Sequence, residues 1–323
     1  MSTLLLQVKS LTVGIKRHEQ VFNLVHDVSF DVHAGQTLGI VGESGSGKST
    51  VALALMRLTP RSMRPFTSGQ VLLEDRDVLR MNDVQLRQLR GRDISMILQD
   101  PMASLNPAFT VGKQIEEAFA VHARCKPKER RSRAIEALRR VRIPAPEQRV
   151  DDYPHQMSGG MKQRVVGAIA LACEPRLLIA DEPTTSLDVT LQAQYLDLLK
   201  DLQRDAGMAM IFITHDFGVV AKMCDRVCVL YAGQIVESAA VRDIFRAPAH
   251  WYTKALLDSI PRLHTKTERL ISIAGSPPKV DERPNGCRFA SRCPQAQAKC
   301  HDNTPPVQSL GDGHVARCWY PRK

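Results

Sequence analysis

Residues 42–50 of this 323-residue chain read GESGSGKST and match the spacing G-x-x-x-x-G-K-[ST] in full. Glycines at these places let the backbone curl so that its N–H groups can meet phosphate oxygens. Lys48 would then face the outer phosphates of a nucleotide, and the Ser49 hydroxyl would bind Mg²⁺. The pattern therefore predicts a phosphate-binding loop formed by Gly42, Glu43, Ser44, Gly45, Ser46, Gly47, Lys48, Ser49 and Thr50.

A pair of acidic residues follows a second apolar run, in RLLIADEP at 176–183. The run Leu177 to Ala180 is typical of a parallel strand that is covered on both faces. Such a strand delivers Asp181 and Glu182 to its carboxyl end, where open α/β sheets bind their ligands. Asp181 would bind Mg²⁺ through water, and Glu182 would orient and polarise an attacking water molecule. Capping of a following helix is the alternative role of these acids.

Two further stretches bring polar groups. MAMIFITHD at 208–216 has the pattern of a buried strand and ends at His215, although a lone histidine is more often structural than catalytic. In MSGGM, Ser158 is a suitable N-cap, and the glycine pair after it opens a helix whose N–H groups can meet an anion. This second anion-binding surface is useful only if each surface serves a different nucleotide across a dimer interface.

These groups require an α/β scaffold to position them. A buried strand is predicted at Thr37 to Val41, directly before the glycine-rich loop, and a helix begins at Lys48. The other predicted elements are alternating strands in QVKSLTV and GQVLLEDRDV, and helices over 112–142 and 158–173.

Composition limits the class of protein. The net charge of +10 is compatible with nucleic acid binding, but aromatic residues make up only 5% of the chain, too few for a base-stacking platform. The densest basic run, 126–142, is predicted to be an amphipathic helix with solvated charges. No apolar run reaches the length of about 18 residues that a membrane-spanning helix needs, and the N-terminus lacks a signal-peptide pattern. We therefore expect a cytosolic location.

The motifs together resemble those of the ATP-binding subunits of ABC transporters, over nearly the whole chain. GESGSGKST resembles their Walker A motif, MSGGM their signature, LLIADEP their Walker B motif, and TTSLD at 184–188 their D-loop. Gln99 in MILQDP resembles their Q-loop glutamine, and His215 resembles their switch histidine. Met161 departs from the pattern, because most members have glutamine at that position of the signature.

The resemblance implies a fold. The expected class is α/β, with a RecA-like P-loop NTPase core, an antiparallel β subdomain near the N-terminus and a helical subdomain at about 100–175. The cassette would span residues 1–260. A small cysteine-rich C-terminal extension would follow at 261–323.

The resemblance also implies roles for individual residues. Two ATP molecules would lie between Walker A and B of one chain and the signature of another. The implied catalytic residues are Lys48, Gln99, Glu182 and His215. The implied Mg²⁺ ligands are Ser49, Gln99 and Asp181. The implied contacts with the partner's ATP are Ser158, Gly159 and Gly160, and Asp188 belongs to the D-loop.

Within the family, MSGGMKQRV, ADEPTTSLDVT, YAGQIVE and AHWYTKALLDSIP resemble the ATPases of peptide and nickel importers. This implies an ATPase that energises import of di- or oligopeptides and lies peripherally on the cytoplasmic face of the inner membrane. Its implied partners are a second, related ATPase, two transmembrane permease subunits and a periplasmic substrate-binding protein. The alternatives are a soluble ABC ATPase acting on nucleic acid or ribosomes, and a non-hydrolysing subunit. The single uninterrupted cassette and the complete catalytic set argue against them, and we expect no nucleic acid partner.

Four cysteines in the tail, Cys287, Cys293, Cys300 and Cys318, are separated by five, six and seventeen residues. Disulfides would need an oxidising compartment, in conflict with the expected cytosolic location. Structural zinc usually takes cysteine pairs two to four residues apart, so the wider loops favour a bulkier centre, and four thiolates suit a [4Fe-4S] cluster. The resemblance implies the same cluster. Zinc and unligated thiols remain the alternatives.

Overall fold

The computed structural model describes residues 3–123, 125–185, 187–260 and 272–322. The predicted start of the extension, residues 261–271, lies outside these ranges. The chain forms two compact units. Unit 1 consists of Met1–Leu5, Val32–Gln36 and Arg80–Ile213, and unit 2 consists of Leu6–Asp31, Thr37–Leu79 and Thr214–Lys323.

The strands are named in chain order. They are β1 (Leu4–Arg17), β2 (Gln20–His33), β3 (Thr37–Val41), β4 (Thr67–Leu73), β5 (Arg76–Asp77), β6 (Ile94–Ile97), β7 (Leu177–Asp181), β8 (Ala209–Thr214), β9 (Arg226–Tyr231), β10 (Gln234–Ala240), β11 (Val307–Gly311) and β12 (His314–Arg317).

The α-helices follow the same convention. They are α1 (Lys48–Leu55), α2 (Asp83–Leu89), α3 (Pro101–Ser104), α4 (Val111–His122), α5 (Pro127–Arg140), α6 (Pro146–Arg149), α7 (Gly159–Leu171), α8 (Val189–Ala206), α9 (Phe217–Met223), α10 (Val241–Arg246), α11 (Trp251–Asp258) and α12 (Ala298–Asp302). Short 3₁₀ turns lie at Arg61–Phe66, Val78–Arg80, Pro154–Gln156, Val280–Glu282 and Ala290–Arg292. None of the helices within the described ranges is long and apolar enough to cross a membrane.

Unit 1 contains three parallel strands in the order β6-β7-β8. All residues of β7 and β8 are buried. Burial on both faces explains why both strands are continuous apolar runs, as the sequence predicts. The parallel arrangement places the carboxyl ends of β6 and β7 side by side, with Ile97 paired to Ala180.

The predicted helix over 112–142 is interrupted in the structure. Helix α4 ends at His122, and α5 begins at Pro127. Proline disfavours the helical conformation of the residue before it, and Lys126 accordingly has an extended ψ of 142°. The run is therefore two helices, with Pro127 at the favoured first position of the second. The other predicted helix corresponds to α7, which is two residues shorter at its C-terminal end than the predicted range.

Unit 2 contains two groups of strands. One is a four-stranded sheet in the order β2-β1-β4-β5, in which β4 pairs antiparallel with both β1 and β5. This is the antiparallel β structure expected near the N-terminus. In the other group, β3 pairs parallel with β9, whereas β10 pairs antiparallel with β9, β12 with β10 and β11 with β12. The strand predicted at Thr37 to Val41 is confirmed with the same bounds.

The described part of the extension, residues 272–322, is continuous with the core of unit 2. Strand β12 pairs with β10, placing Ala316 opposite Glu237. Phe289 is 1% exposed, and its ring centroid lies 5.3 Å from the rings of both Tyr231 and Tyr252. The extension therefore shares a hydrophobic core with the strands that precede it.

This shared core predicts a large effect of truncating Phe289. Phe289→Ala should lower the free energy of unfolding by about 3–5 kcal/mol, because burial is lost and a cavity remains. The urea midpoint, followed by intrinsic fluorescence, measures the change. Phe109, which is 55% exposed, provides the matched control, and Phe109→Ala should leave the midpoint nearly unchanged. Equal midpoints for the two variants would contradict the shared core.

Candidate functional site

The loop between β3 and α1 has the closed backbone that the glycine spacing predicts. Gly42 has φ 157°, and a Cβ added there would lie 2.1 Å from the carbonyl oxygen of Leu230. Gly47 has φ 104° and forms the left-handed N-cap of α1. A side chain at either position would clash or strain the turn, so both glycines are required by the loop's shape.

Lys48 closes the loop from inside. Its Nζ donates hydrogen bonds to the carbonyl oxygens of Gly42, at 2.9 Å, and Glu43, at 3.1 Å. The residue is only 6% exposed, so the positive charge lies in a poorly solvated position next to the start of α1. A cation and the N-terminal end of a helix at one place favour an anion there.

The loop is also held from outside. The N–H of Gly233 donates to the carbonyl oxygen of Ser46 at 2.8 Å. The N–H of Glu43 donates to the hydroxyl of Tyr252 at 2.9 Å, and the Glu43 carboxylate forms an ion pair with Arg292. Sequence analysis missed Tyr252 and Arg292. They lie 209 and 249 residues from Glu43 along the chain, and no local pattern connects them.

In unit 1, Gln99 and Glu182 are brought together at the carboxyl ends of β6 and β7. Gln99 Nε2 donates to Glu182 Oε2 at 3.4 Å, and the Thr185 hydroxyl donates to the same oxygen at 3.1 Å. Asp181, the last residue of β7, is 3% exposed. The two carboxylates therefore differ in environment, with one buried and one partly accessible for contact with water.

Glu182 has an unusual backbone. Its φ of 46° is in the left-handed region, which costs free energy for a residue with a side chain. Its N–H donates to the carbonyl oxygen of Ile213 at 2.9 Å, and this bond holds the strained turn. The turn directs the chain away from β7 directly after the buried aspartate.

Ser158 caps helix α7, as predicted. Its hydroxyl accepts a hydrogen bond from the N–H of Met161 at 3.3 Å. A Cβ added to Gly159 would meet open space, whereas one added to Gly160 would lie 3.4 Å from the Leu191 side chain. The N-terminal end of this helix is exposed and carries the positive end of the helix dipole.

The remaining predicted residues lie at helix starts or strand ends. Asp188 caps α8 by accepting from the N–H groups of Thr190 and Leu191 at 3.0 and 2.9 Å. One position of the predicted D-loop, 186, lies outside the described residues. His215 follows β8 and is exposed; it belongs to unit 2, as does the glycine-rich loop.

Cys287, Cys293, Cys300 and Cys318 line one small cavity in unit 2, together with His250. Burial raises the pKa of the Cys287 and Cys318 thiols to about 11 and also raises the pKa of Cys293. Burial disfavours thiolates, so a cationic group in this cavity would be needed to hold them ionised at neutral pH.

His250 adds a polar atom to this cavity. It is 1% exposed, and burial lowers its pKa to about 4, so it is neutral at pH 7. Its Nδ1 accepts the N–H of Tyr252 at 3.1 Å, which leaves the proton on Nε2. Among the described residues, that buried nitrogen has no hydrogen-bond partner. Within the described ranges, no three Cys, His, Asp or Glu side chains are grouped closely enough to hold one metal ion.

Comparison with family models identifies two regions. Residues 25–185 match the ABC transporter family, and residues 236–300 match the oligopeptide/dipeptide transporter C-terminal region. The second match includes Cys287, Cys293 and Cys300.

Similar proteins match nearly the full length. A probable peptide ABC transporter ATP-binding protein of Sinorhizobium fredii is 49% identical over 317 residues, which cover 98% of this chain and 95% of the relative. The dipeptide transport ATP-binding protein DppD of Bacillus subtilis is 47% identical over 315 residues, covering 97% and 94%.

Solved structures of ABC transporter proteins match about three quarters of the chain. The dimeric structure of MJ0796, a bacterial ABC transporter cassette, is 29% identical with a TM-score of 0.65, covering 73% of this chain and 99% of that chain. The cbiO1 structure from Clostridium perfringens is 28% identical with a TM-score of 0.62, covering 76% and 91%. The full-length relatives, the two family regions and the solved structures all agree. This chain therefore belongs to the family of ABC transporter ATP-binding subunits that carry the oligopeptide/dipeptide transporter C-terminal region.

Proposed function

We propose that this chain hydrolyses ATP to drive import of di- or oligopeptides. The observation that carries this proposal is the full-length similarity to peptide transport ATP-binding proteins, including the C-terminal region. The match to the C-terminal region at residues 236–300 supports the peptide group in particular, because that region is described as the oligopeptide/dipeptide transporter C-terminal region. The alternative of an ATPase acting on nucleic acid or ribosomes has no comparable support.

The proposed chemistry follows the roles predicted for the individual residues. The N–H groups of residues 42–50 and the Lys48 ammonium would bind the phosphates, and the Ser49 hydroxyl would be a ligand of Mg²⁺. Asp181 and Gln99 are also proposed as Mg²⁺ ligands, and Glu182 would accept a proton from the attacking water. The hydrogen bond between Gln99 and Glu182 supports this assignment, because it places a proposed Mg²⁺ ligand next to the proposed base. His215 is proposed to contact the γ-phosphate.

The proposed assembly is a dimer of ATPase subunits. Ser158, Gly159 and Gly160 would bind the ATP held by the partner, and Asp188 would lie in the same interface. The exposed N-terminal end of α7 supports this role, as does the dimeric state of MJ0796. We propose a second, related ATPase as partner, two transmembrane permeases as the membrane anchor and a periplasmic substrate-binding protein for delivery. The chain would then lie peripherally on the cytoplasmic face of the inner membrane.

We further propose that the four tail cysteines hold a [4Fe-4S] cluster. The cluster needs four thiolates, and the four tail thiols line one cavity in unit 2. The Nε2–H of His250, which has no hydrogen-bond partner among the described residues, adds a donor suited to sulfur. When bound, the cluster would supply structural stability through its iron–thiolate bonds.

Glu182→Gln tests the proposed base. The amide cannot accept a proton from water, so turnover should fall by roughly two or more decades while ATP binding persists. ATPase rate and ATP affinity are measured separately. Lys48→Ala should instead weaken ATP binding, because a cation facing the phosphates is lost. Glu147→Gln, at an exposed site, is the matched control, and retained turnover in Glu182→Gln would refute the assignment.

Ser158→Arg tests the shared interface. A bulky cation at the start of α7 should prevent ATP-dependent closure of the dimer, while the chain's own phosphate loop still binds ATP. Dimer formation by light scattering and nucleotide binding give the two readouts. Ser132→Arg, on the exposed face of α5, should change neither. A loss of ATP binding in Ser158→Arg would point to misfolding and contradict the shared interface.

The cluster is tested by metal analysis. Chain purified without oxygen should contain about four iron and four acid-labile sulfide per molecule. Cys300→Ser should lose most of both, whereas Cys125→Ser, at a buried cysteine of unit 1, should keep them. Stoichiometric zinc without sulfide would exclude the cluster.

A further inference from the structure

The C-terminal extension contacts the phosphate loop through Arg292, the residue directly before Cys293. Its two terminal nitrogens donate to the two carboxylate oxygens of Glu43, at 2.7 and 2.9 Å. The Arg292 side chain is 4% exposed and the Glu43 side chain 27% exposed. A bidentate pair largely removed from water is stronger and more directional than a surface ion pair.

Arg292 is itself held in one conformation. Its Nε donates to the carbonyl oxygen of Ala274 at 2.9 Å, and a terminal nitrogen donates to the Tyr231 hydroxyl at 3.2 Å. The guanidinium carbon lies 5.7 and 5.9 Å from the ring centroids of Tyr231 and Phe289. Hydrogen bonds to Glu43 raise the pKa of Arg292 above its ordinary value. These contacts hold the Arg292 guanidinium in one position.

Glu43 is fixed at both its ends. Its carboxylate is held by Arg292, and its backbone N–H is held by the hydroxyl of Tyr252 at 2.9 Å. Its carbonyl oxygen accepts from Lys48, the lysine of the motif. A shift of Glu43 would thus move the peptide units that shape the loop and one of the groups that orient Lys48.

A second arginine of the extension also pairs with a carboxylate, but that carboxylate lies in β2. Arg317 directly precedes Cys318, is 12% exposed and pairs with Asp27 of β2 at 2.9 Å. Asp27 lies outside the 42–50 loop. Both arginines directly precede a cysteine and pair with a carboxylate. Arg317 makes one hydrogen bond to Asp27, whereas Arg292 makes two to Glu43, and of the two only Arg292 contacts the phosphate loop.

We propose that Arg292 is a positioning residue for ATP binding, because it holds Glu43 and so keeps the phosphate loop in its binding shape. The proposal rests on the assignment of residues 42–50 as the ATP phosphate loop. A loop that is already ordered loses less conformational entropy when its ligand binds. Removing the Arg292 side chain should therefore weaken the affinity for ATP.

The test compares Arg292→Ala with Arg317→Ala in the full chain. Arg292→Ala should raise the Kd for a fluorescent ATP analogue about tenfold, equivalent to about 1.4 kcal/mol. It should also accelerate hydrogen exchange of the backbone amides in 42–47. Arg317→Ala should change Kd less than about twofold, although it also removes an arginine–carboxylate ion pair of the extension. Equal Kd values for the two variants would overturn the proposal.

Further variants separate positioning from general stability. Arg292→Lys keeps the charge but not the two parallel bonds, so its Kd should lie between wild type and Arg292→Ala. Glu43→Ala should weaken binding to a similar extent, and the double variant should be no weaker than either single one. Additive losses would show that the two residues act separately and would contradict the proposal. If Lys48→Ala left ATP affinity intact, the loop assignment would fail instead.

Discussion

A loop that offers its backbone N–H groups to an anion cannot use the same groups to hold its own shape. Its conformation then depends largely on its carbonyl groups and on contacts from outside, and the loop at 42–47 shows how. Gly42 abuts the carbonyl of Leu230, and Ser46 accepts from Gly233. Neither of these two contacts uses an N–H group of the loop. The strands around the loop and the residue Tyr252, which packs against the extension, supply these outside contacts.

The acidic end of β7 meets a related constraint by another route. The buried strand brings Asp181 to its end, and the chain must then turn sharply so that Glu182 is not buried with it. The left-handed backbone of Glu182 makes that turn, and the bond to Ile213 holds it. Asp181 is therefore buried at the strand end, whereas Glu182, after the turn, is partly exposed.

Several strands, helix starts and candidate site residues could be predicted from the sequence, because the signals for them lie in neighbouring residues. The strand at Thr37 to Val41 and the cap at Ser158 depend on neighbouring residues, and the structure confirms both. The signal for the interruption before Pro127 is also local, but the helical periodicity of the charged residues around it favoured one continuous helix. The ion pair between Arg292 and Glu43 could not be predicted, since one arginine among 44 basic residues has no pattern to mark it. Long-range partners are specified by the fold and not by spacing.

The position of Arg292 in the chain has a consequence for biosynthesis. Glu43 emerges from the ribosome 249 residues before the arginine that holds it. At about 5–20 residues per second, this interval lasts roughly 10–50 s. During translation, the loop at 42–47 therefore exists for this interval without the ion pair to Arg292. A chain truncated before the tail would keep every recognisable motif of the cassette, yet it would leave Glu43 without its counterion.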